Sequence, residues 1–353
     1  MTWVSGTARA VVLCTKSAEN PMRVLVIGGT LFIGKLLVEE LLKDGQEVTV
    51  LHRKPKHDFG RRVENLVADR NDAASMREAL MGRRFDVVFD NVYDWDRGTT
   101  AAQVEATVRV CGDRISRYIF MSSVAAYGDG LNHKESDPLA PDYHPNMYAS
   151  HKATTERVLF RMHVQQGLPL VTFRPPFVYG PRNNFYREQF FWDRLRAGRQ
   201  VIIPGDGHRL MQFVYVNDLV TAMIKAMHEP RAVGEAFNIG DPKPVTQVEL
   251  VEKLAKAANT DPALVRVPRD IIAAAGGNAM QEPLYFGEYF DLPPITENIG
   301  KVTRLLKMKL TPFDTGLKET YKWYTRNHKP RTSGFDFDDK VLAMAKSGSP
   351  ASV

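Results

Sequence analysis

The sequence contains little cysteine and no long hydrophobic run, and both shortages restrict what the protein can be. Its 353 residues include two cysteines, Cys14 and Cys111, which are too few for a disulfide framework or a cysteine-rich metal site. No apolar run approaches the roughly 20 residues that a membrane-spanning helix requires. Met1–Pro21 lacks the charged start and apolar core of a secretory signal. We therefore predict a cytoplasmic protein that does not enter a membrane.

The sequence also lacks a large excess of charge of either sign. The chain carries 47 basic and 41 acidic residues, a net charge of +6. This mild excess permits an anionic ligand but does not require a nucleic acid. No pair among the nine histidines has metal-ligand spacing, so we assign no residue to a metal. The length exceeds that of a usual single domain and predicts two lobes.

Short apolar runs alternate with helical patterns through the first half of the chain. Arg23–Ile27 reads as a buried parallel strand, followed by a glycine-rich turn, a helix over Lys35–Lys43 and a second strand over Glu47–Leu51. The alternation continues to a strand at Leu170–Phe173. Repeated β-α-β order predicts an α/β fold, a Rossmann-type doubly wound parallel sheet with ligands at the carboxyl ends of its strands.

After this strand, Pro, Gly, Arg and aromatic residues become frequent, and this change in composition predicts how the chain divides into domains. Residues 22–175 form the NAD(P)-binding Rossmann domain, to which 214–240 returns, with a helix expected over Val214–Met227. Residues 176–213 and 241–330 form a smaller C-terminal substrate lobe. We expect residues 1–21 to be a disordered extension and 331–353 to be a flexible tail.

The turn after the first strand predicts a dinucleotide site. Gly28 permits a tight backbone turn, Gly34 lets the helix pack closely on the strand, and the helix N-terminus offers free N–H groups to a pyrophosphate. The middle glycine of the usual spacing is replaced by Leu31. The predicted contacts of this turn with the cofactor are Gly28, Gly29, Thr30, Phe32, Ile33 and Gly34.

The second strand ends in three basic residues, His52, Arg53 and Lys54. An acidic residue that would hold both ribose hydroxyls of NAD is missing here, and a basic group would instead meet the 2′-phosphate of NADP. The cofactor is therefore NAD or NADP, with NADP slightly favoured; a solvated basic loop is the alternative. Asp69 is placed to bind an adenine edge, unless it caps a helix.

A hydroxyl, a phenol and an ammonium mark the reacting centre. Tyr148 and Lys152 stand four residues apart, so on a helix they share one face, and Ser123 follows a buried strand at Arg117–Met121. A nearby ammonium favours phenolate and lowers the pKa of a tyrosine. We expect Tyr148 to move a proton, with Ser123 bound to the same substrate oxygen, while a nicotinamide moves a hydride.

Five motifs occur in one order along the chain. They are Gly28-Gly-Thr-Leu-Phe-Ile-Gly34, Ser122-Ser-Val-Ala-Ala-Tyr-Gly128, Tyr148-x-x-x-Lys152, Arg174-Pro-Pro-Phe-Val-Tyr-Gly-Pro181 and Phe213-Val-Tyr-Val-Asn-Asp218. Together they resemble the extended short-chain dehydrogenase/reductases, the NAD-dependent epimerase/dehydratase group, over roughly 22–329.

The resemblance implies roles for single residues. Tyr148 is the acid/base, Lys152 binds the nicotinamide ribose and tunes Tyr148, and Ser123 polarises the substrate oxygen. The other predicted cofactor contacts are Asp69, Arg70, Asn91, Ser122 and Pro175, and the predicted substrate contacts are Ser123, Tyr127, Phe177, Asn184, Arg187, Arg209 and Met211. Members of the group often dimerise through two helices of the Rossmann lobe, so a homodimer is possible for this chain.

Departures from the group's pattern narrow the function. Dehydratases place an Asp-Glu pair where this chain has Val124 and Ala125. Enzymes that act on nucleotide sugars usually have an Asn where Phe177 stands, and an arginine for the diphosphate where Met211 stands. Arg209 lies two residues out of register. These differences argue against dehydration and predict weak binding of UDP-sugars.

A basic–aromatic segment, residues 182–199, leaves the function open between classes. It resembles a branch that includes stem-loop RNA-binding proteins of chloroplasts and bacterial relatives. The segment could stack bases, line a sugar pocket or form an amphipathic helix, which we favour. The preferred prediction is an epimerase-type enzyme acting on a sugar-like substrate. The alternatives are an NADP(H)-dependent reductase and an RNA-binding protein on the same scaffold.

Overall fold

A computed structural model describes residues 21–112, 114–331 and 333–347. The strands of the described part are β1 Arg23–Ile27, β2 Glu47–His52, β3 Glu64–Val67, β4 Val87–Asp90, β5 Arg117–Met121, β6 Gly130–His133, β7 Leu170–Arg174, β8 Phe177–Tyr179, β9 Val201–Pro204, β10 Leu210–Met211, β11 Phe213–Tyr215, β12 Glu235–Asn238, β13 Val245–Thr246, β14 Leu264–Val267 and β15 Ile295–Glu297. Its α-helices are α1 Phe32–Lys43, α2 Ala73–Leu80, α3 Ala101–Cys111, α4 Met147–Gln166, α5 Glu188–Arg196, α6 Val216–His228, α7 Gln247–Ala257, α8 Arg269–Ala274, α9 Gly300–Leu305, α10 Phe313–Asn327 and α11 Asp336–Ser347.

Seven parallel strands form the central sheet, in the order β12-β7-β5-β4-β1-β2-β3. Side chains of β1 alternate between its two faces: Val24 and Val26 enter one apolar core, and Leu25 and Ile27 enter the other. Strands buried on both faces read as continuous apolar runs, which is why the sequence identified β1. The predicted doubly wound fold is confirmed.

The strand order reverses direction between β1 and β4. From β1 the chain proceeds through β2 and β3 to one edge, whereas β4, β5, β7 and β12 extend to the other. At such a switch point the loops after the two central strands diverge and leave a crevice. The glycine turn after β1 and the loop after β4 border this crevice.

Two local predictions need correction. Phe213–Tyr215 is a strand paired in parallel with Phe177–Tyr179, so the helix expected from Val214 begins at Val216. The flexible tail predicted over 331–353 is wrong for Asp336–Ser347, which is a helix with Val341 and Leu342 buried. The disordered extension was predicted for residues 1–21. Residues 1–20 lie outside the described part of the chain.

None of the helices within the described ranges is both long and apolar enough to cross a membrane.

Candidate active site

Two helix caps bring Ser123 and Tyr148 to the carboxyl end of the sheet. Ser123 follows β5 and caps a short 3-10 helix, its Oγ accepting a hydrogen bond from the Ala125 amide at 3.1 Å. Helix α4 begins at Met147 because the side chain of Asn146 accepts from the amides of Tyr148 and Ala149 at 3.0 and 3.3 Å. The first turn of α4 therefore contains Tyr148, which is hydrogen-bonded with Ser123.

The surroundings of Tyr148 act on its pKa in opposite directions. Burial raises the pKa above its usual value, whereas a hydrogen bond with Ser123 and the positive charge of Arg187 lower it. The protonated phenol is thus favoured by burial, and the phenolate is favoured by two specific neighbours. Burial has the larger effect, so the pKa of Tyr148 stays above its usual value, and Ser123 and Arg187 are the neighbours that would help it release a proton.

Lys152 is buried one helical turn further along α4. Its Nζ donates to the carbonyl of Met121 at 2.7 Å and lies 5.7 Å from the centroid of the Tyr148 ring. Burial lowers the pKa of Lys152 to about 8. Lys152 was expected to favour the phenolate of Tyr148, but in the structure the groups that lower the pKa of Tyr148 are Ser123 and Arg187.

Aromatic side chains from distant loops cover Tyr148. Trp95 stacks on the Tyr148 ring with centroids 4.8 Å apart, and Tyr93 meets it edge-on at 4.7 Å. Phe185 and Tyr289 contact Trp95 in turn, at 5.8 and 5.6 Å. Sequence reasoning missed Tyr93, Trp95 and Tyr289, although Tyr93 and Trp95 follow β4 within five residues and so lie at the edge of the sheet where ligands bind.

The glycine turn is shaped by two close approaches. Gly28 has φ +83°, and a Cβ there would lie 2.4 Å from Cγ2 of Val92. A Cβ on Gly34 would lie 1.9 Å from the carbonyl oxygen of Gly28. Only glycine fits either position, and the helix consequently starts close against the strand. Leu31, in place of the middle glycine, points outward with 64% of its side chain exposed.

The other residues of this turn that were predicted to contact the cofactor differ in their solvent exposure. Gly29 is buried against β1 and β2, and Phe32 is buried at the start of α1 with φ +36°. Thr30 and Ile33 are half-buried. A backbone ligand contact is therefore open to Thr30, while Phe32 packs into the core.

Asn91, at the carboxyl end of β4, has an unsatisfied side chain. Its amide nitrogen and oxygen are both buried, and neither has a hydrogen-bond partner among the described residues. Buried polar groups are usually paired, so this position fits a polar ligand in the crevice. Together with the glycine turn, Asn91 gives a groove that suits the pyrophosphate and ribose of NAD or NADP.

Charges at the outer end of the groove are already paired. Arg53 lies 3.4 Å from the carboxylate of Asp94 and is 64% exposed. Asp69 and Asp94 both accept from Arg97, which the sequence reasoning missed. His52 is hydrogen-bonded to Asn65 at 2.7 Å, and burial lowers its pKa. Lys54 is exposed in the loop that follows.

Several predicted contacts belong instead to buried networks. Arg70 is 4% exposed and donates to Asp90 at 2.7 Å and to Thr107 at 2.6 Å. This favours a structural role over the predicted cofactor contact.

A second buried network contains Ser122 and Tyr127. Ser122 donates to Glu156, which forms an ion pair with Arg174 at 2.6 Å. Arg174 also donates to the hydroxyl of Tyr127, whose own proton is directed to Asn238 at 2.7 Å. These side chains fasten α4 to the sheet. Pro175, beside them, accepts from the Val124 amide and is buried.

The predicted substrate contacts are brought together only in part. Met211 is 3% exposed, Asn184 is exposed, and Arg209 is paired with Asp291 at 2.9 Å. Phe177 and Arg187 do converge: the guanidinium carbon of Arg187 lies 5.3 Å from the centroid of the Phe177 ring. Of this set, Ser123 and Arg187 are the residues that lower the pKa of Tyr148.

Three of the five rings of the basic–aromatic segment are buried, and Phe185 and Tyr186 are half-buried. Phe190, Phe191 and Trp192 are fully buried on α5. Arg182 pairs with Glu39 at 2.7 Å, Arg194 with Asp338 at 2.7 Å, and Arg199 with Asp339. The segment contains a helix, as predicted, but the helix is buried over Glu188–Leu195 and does not have the solvent-exposed polar face of an amphipathic helix. Its rings are not available to stack on bases.

Comparison with known proteins gives one consistent family. The model of the NAD dependent epimerase/dehydratase family matches residues 24–240. The chloroplast stem-loop binding protein of 41 kDa b from Arabidopsis thaliana is 31% identical over 68% of this chain and 64% of its own length. The dTDP-D-glucose 4,6-dehydratase of Homo sapiens is 28% identical over 69% of this chain and 64% of its own length. The chain thus spans just under two thirds of each of these relatives.

Solved structures share the fold at lower identity. A dTDP-glucose 4,6-dehydratase from Bacillus anthracis in complex with NAD superposes with a TM-score of 0.71 at 19% identity, over 87% of this chain and 97% of that one. A UDP-glucose 4-epimerase from Thermotoga maritima, with UDP-glucose, superposes with a TM-score of 0.68 at 22% identity, over 87% of this chain and all of that one.

Proposed function

The chain belongs to the NAD-dependent epimerase/dehydratase family, and we propose that it is an enzyme that inverts a hydroxyl-bearing carbon of a sugar-like substrate at Tyr148. The observation that carries this proposal is that the buried hydroxyl of Tyr148 is hydrogen-bonded with Ser123 and lies in the field of Arg187, two neighbours that favour its phenolate against the larger effect of burial. A scaffold that only binds RNA does not need these neighbours.

The chain's own residues would handle the proton. Oη of Tyr148 removes the proton of the substrate hydroxyl, and Oγ of Ser123 hydrogen-bonds the same oxygen. The buried ammonium of Lys152 would hold the ribose side of the cofactor. NAD or NADP, when bound, supplies hydride transfer. Oη of Tyr148 returns its proton after the substrate has presented its other face, which inverts the carbon.

Two other functions remain alternatives. A reductase would use the same side chains but release its cofactor in every turnover. RNA binding is suggested by the name of one relative, but the buried rings of α5 disfavour it. Dehydration is disfavoured because Val124 and Ala125 supply no carboxyl beside Ser123. Cytoplasmic localisation and a homodimer stay predictions.

Cofactor retention separates an epimerase from a reductase. An epimerase regenerates its cofactor in each cycle and gains by holding it, so we expect purified protein to carry nicotinamide dinucleotide at close to one per chain. The measurement is native mass spectrometry before and after denaturation. Protein that is purified empty, and whose turnover consumes NADPH one for one, would establish the reductase instead.

The family is NAD-dependent, and we propose that this chain also accepts NADP, with a modest preference for it. No carboxylate ends β2, and the exposed guanidinium of Arg53 lies at the outer end of the groove. We expect Arg53→Asp to weaken NADP binding by roughly 10- to 100-fold, since hydrogen bonds to charged groups contribute about 1.5–3 kcal/mol, and to leave NAD binding almost unchanged.

Titration calorimetry with both cofactors measures this preference. Arg326→Asp on α10 is the control, because it changes the net charge equally at an exposed position outside the sheet. Tight NAD binding by the unaltered protein without any response to NADP would contradict the proposed preference.

A further inference from the structure

Arg187 is a buried cation without an ion-pair partner. It is 8% exposed, and Nε donates to the backbone carbonyl of Glu288 at 3.1 Å. Within the described ranges no carboxylate lies at ion-pair distance from it. Three arginines buried to a similar degree each have one: Arg70 with Asp90, Arg174 with Glu156 and Arg194 with Asp338, at 2.6–2.7 Å.

Glu188 and Glu288 favour the charge of Arg187 but do not form an ion pair with it. Glu188 accepts from the side-chain amide of Asn183 at 3.0 Å, and burial raises its pKa to about 7. Glu288 accepts from the Tyr186 amide at 3.0 Å. Burial lowers the pKa of Arg187 itself. A buried charge in this situation costs several kcal/mol unless a ligand compensates it.

Aromatic rings surround the guanidinium and fix its position. Its central carbon lies 4.3 Å from the ring centroid of Phe185, 5.3 Å from Phe177, 5.6 Å from Phe290 and 5.8 Å from Tyr289. Cation–π attraction contributes about 0.5–2 kcal/mol, but ring faces cannot accept the in-plane N–H bonds of the two terminal nitrogens. The cage therefore leaves those donors for another acceptor.

The cage and Tyr148 are neighbours on either side of Trp95. The ring of Trp95 stacks on Tyr148, and it also contacts Phe185 and Tyr289 of the cage. The charge of Arg187 acts directly on Tyr148. An acceptor that reached the guanidinium would thus lie next to the hydroxyl that reacts.

Backbone strain at Tyr289 supports a functional cage. Its φ of +67° lies in the left-handed region, which costs a residue with a side chain of order 1–3 kcal/mol. This conformation sets the ring against Trp95 and Phe185. Strain of this kind clusters at ligand-binding positions.

The neighbouring cations are not free to bind the second phosphate group of a diphosphate. Arg182 is paired with Glu39, and Arg209 with Asp291. Met211, which stands where enzymes that act on nucleotide sugars have an arginine, is apolar and buried. Of the arginines described around this site, Arg187 is therefore the one left for the substrate, which is enough for a single anionic group.

We propose that Arg187 binds one carboxylate or phosphate group carried by the substrate beside the carbon that reacts at Tyr148. The substrate is then an acidic sugar, either a sugar acid or a sugar monophosphate, rather than a neutral sugar or a nucleotide diphosphate sugar. Phe177, a departure from the family pattern, is part of this preference because it packs against the guanidinium. The proposal rests on the proposed function, since Tyr148 defines where the anion lies.

The test measures sugar binding to the NAD-loaded protein. Binding is detected by calorimetry and by the fluorescence of the half-exposed Trp95. The probes are D-glucuronate and D-galacturonate, glucose 1-phosphate and glucose 6-phosphate, neutral glucose and galactose, and UDP-glucose. We expect one acidic class to bind at least tenfold more tightly than the neutral sugars, and UDP-glucose to bind only in the millimolar range. Which class binds distinguishes carboxylate from phosphate.

Variants assign the preference to one side chain. Arg187→Gln should lose at least tenfold in affinity for the acidic sugar and leave neutral sugars unchanged, and Arg187→Lys should recover part of the loss. Arg182→Gln, an exposed arginine five residues earlier, is the matched control and should bind as the unaltered protein does. Equal binding of acidic and neutral sugars, or an unaffected Arg187→Gln, overturns the proposal; if that variant does not fold, Arg187→Lys decides.

Tyr148→Phe separates this proposal from the proposed function. If the anion site is real, this variant should still bind the acidic sugar. If the unaltered protein binds the acidic sugar but never reduces its nicotinamide, the proposed function fails while the anion site stands.

Discussion

Tyr148→Phe is expected to abolish turnover while the protein stays folded and keeps its cofactor. Removing the hydroxyl removes the group that gives and takes the substrate proton, and the loss of a general acid–base group costs about 10²–10⁴-fold in rate. The ring remains, so its contacts with Trp95 and Tyr93 are kept. The measurements are the rate of nicotinamide reduction by a sugar that is turned over, the cofactor affinity and the unfolding midpoint.

Tyr143→Phe is the matched control. Tyr143 lies five residues earlier and is 89% exposed, so the same loss of a hydroxyl should leave the rate unchanged. Activity of Tyr148→Phe within a few-fold of the unaltered protein would remove Tyr148 from the mechanism. A drop in both rate and unfolding midpoint would instead identify a structural role.

Features fixed by local backbone requirements could be predicted from the sequence. Gly28 and Gly34 occupy positions where any Cβ would clash, so the turn is visible as a residue pattern. Tyr148 and Lys152 share a helix face because of their spacing alone. The continuous apolar runs of β1 and β5 result from burial on both faces of the sheet.

Features that depend on distant partners could not be predicted. Arg182, Arg194 and Arg209 look like free cations in the sequence, but their acidic partners lie 143, 144 and 82 residues away. The cover over Tyr148 is assembled from three separate loops, which supply Trp95, Phe185 and Tyr289. Ordinary aromatic residues in separate loops give no pattern that indicates where they meet.

Helix α11 shows how a tertiary contact can override a local sequence signal. The polar, small residues at the end of the chain indicated a flexible tail over 331–353. Three acidic residues in the first turn of α11, Asp336, Asp338 and Asp339, are nevertheless typical of a helix N-terminus. What fastens the helix is a tertiary contact: Arg194 on α5 donates to Asp338 through Nε at 2.7 Å and through Nη2 at 2.9 Å.

Asp338→Ala is accordingly expected to destabilise the whole protein by about 3–5 kcal/mol, because it leaves the buried guanidinium of Arg194 uncompensated. Both side chains are almost fully buried, with 7% of Arg194 and 2% of Asp338 exposed. The guanidinium also packs on Phe190, 3.3 Å from its ring centroid, so it cannot leave for solvent without breaking the core. The measurement is the free energy of unfolding in urea.

The next residue of the same helix provides the control. Asp339 pairs with Arg199 but is 59% exposed, and exposed ion pairs contribute about 0–1 kcal/mol, so Asp339→Ala should change the free energy of unfolding by no more than that. The double variant Arg194→Met/Asp338→Leu removes both buried charges and should regain most of the stability lost by Asp338→Ala. Equal, small effects of Asp338→Ala and Asp339→Ala would mean that α11 contributes little to folding, as the polar sequence of the tail had first suggested.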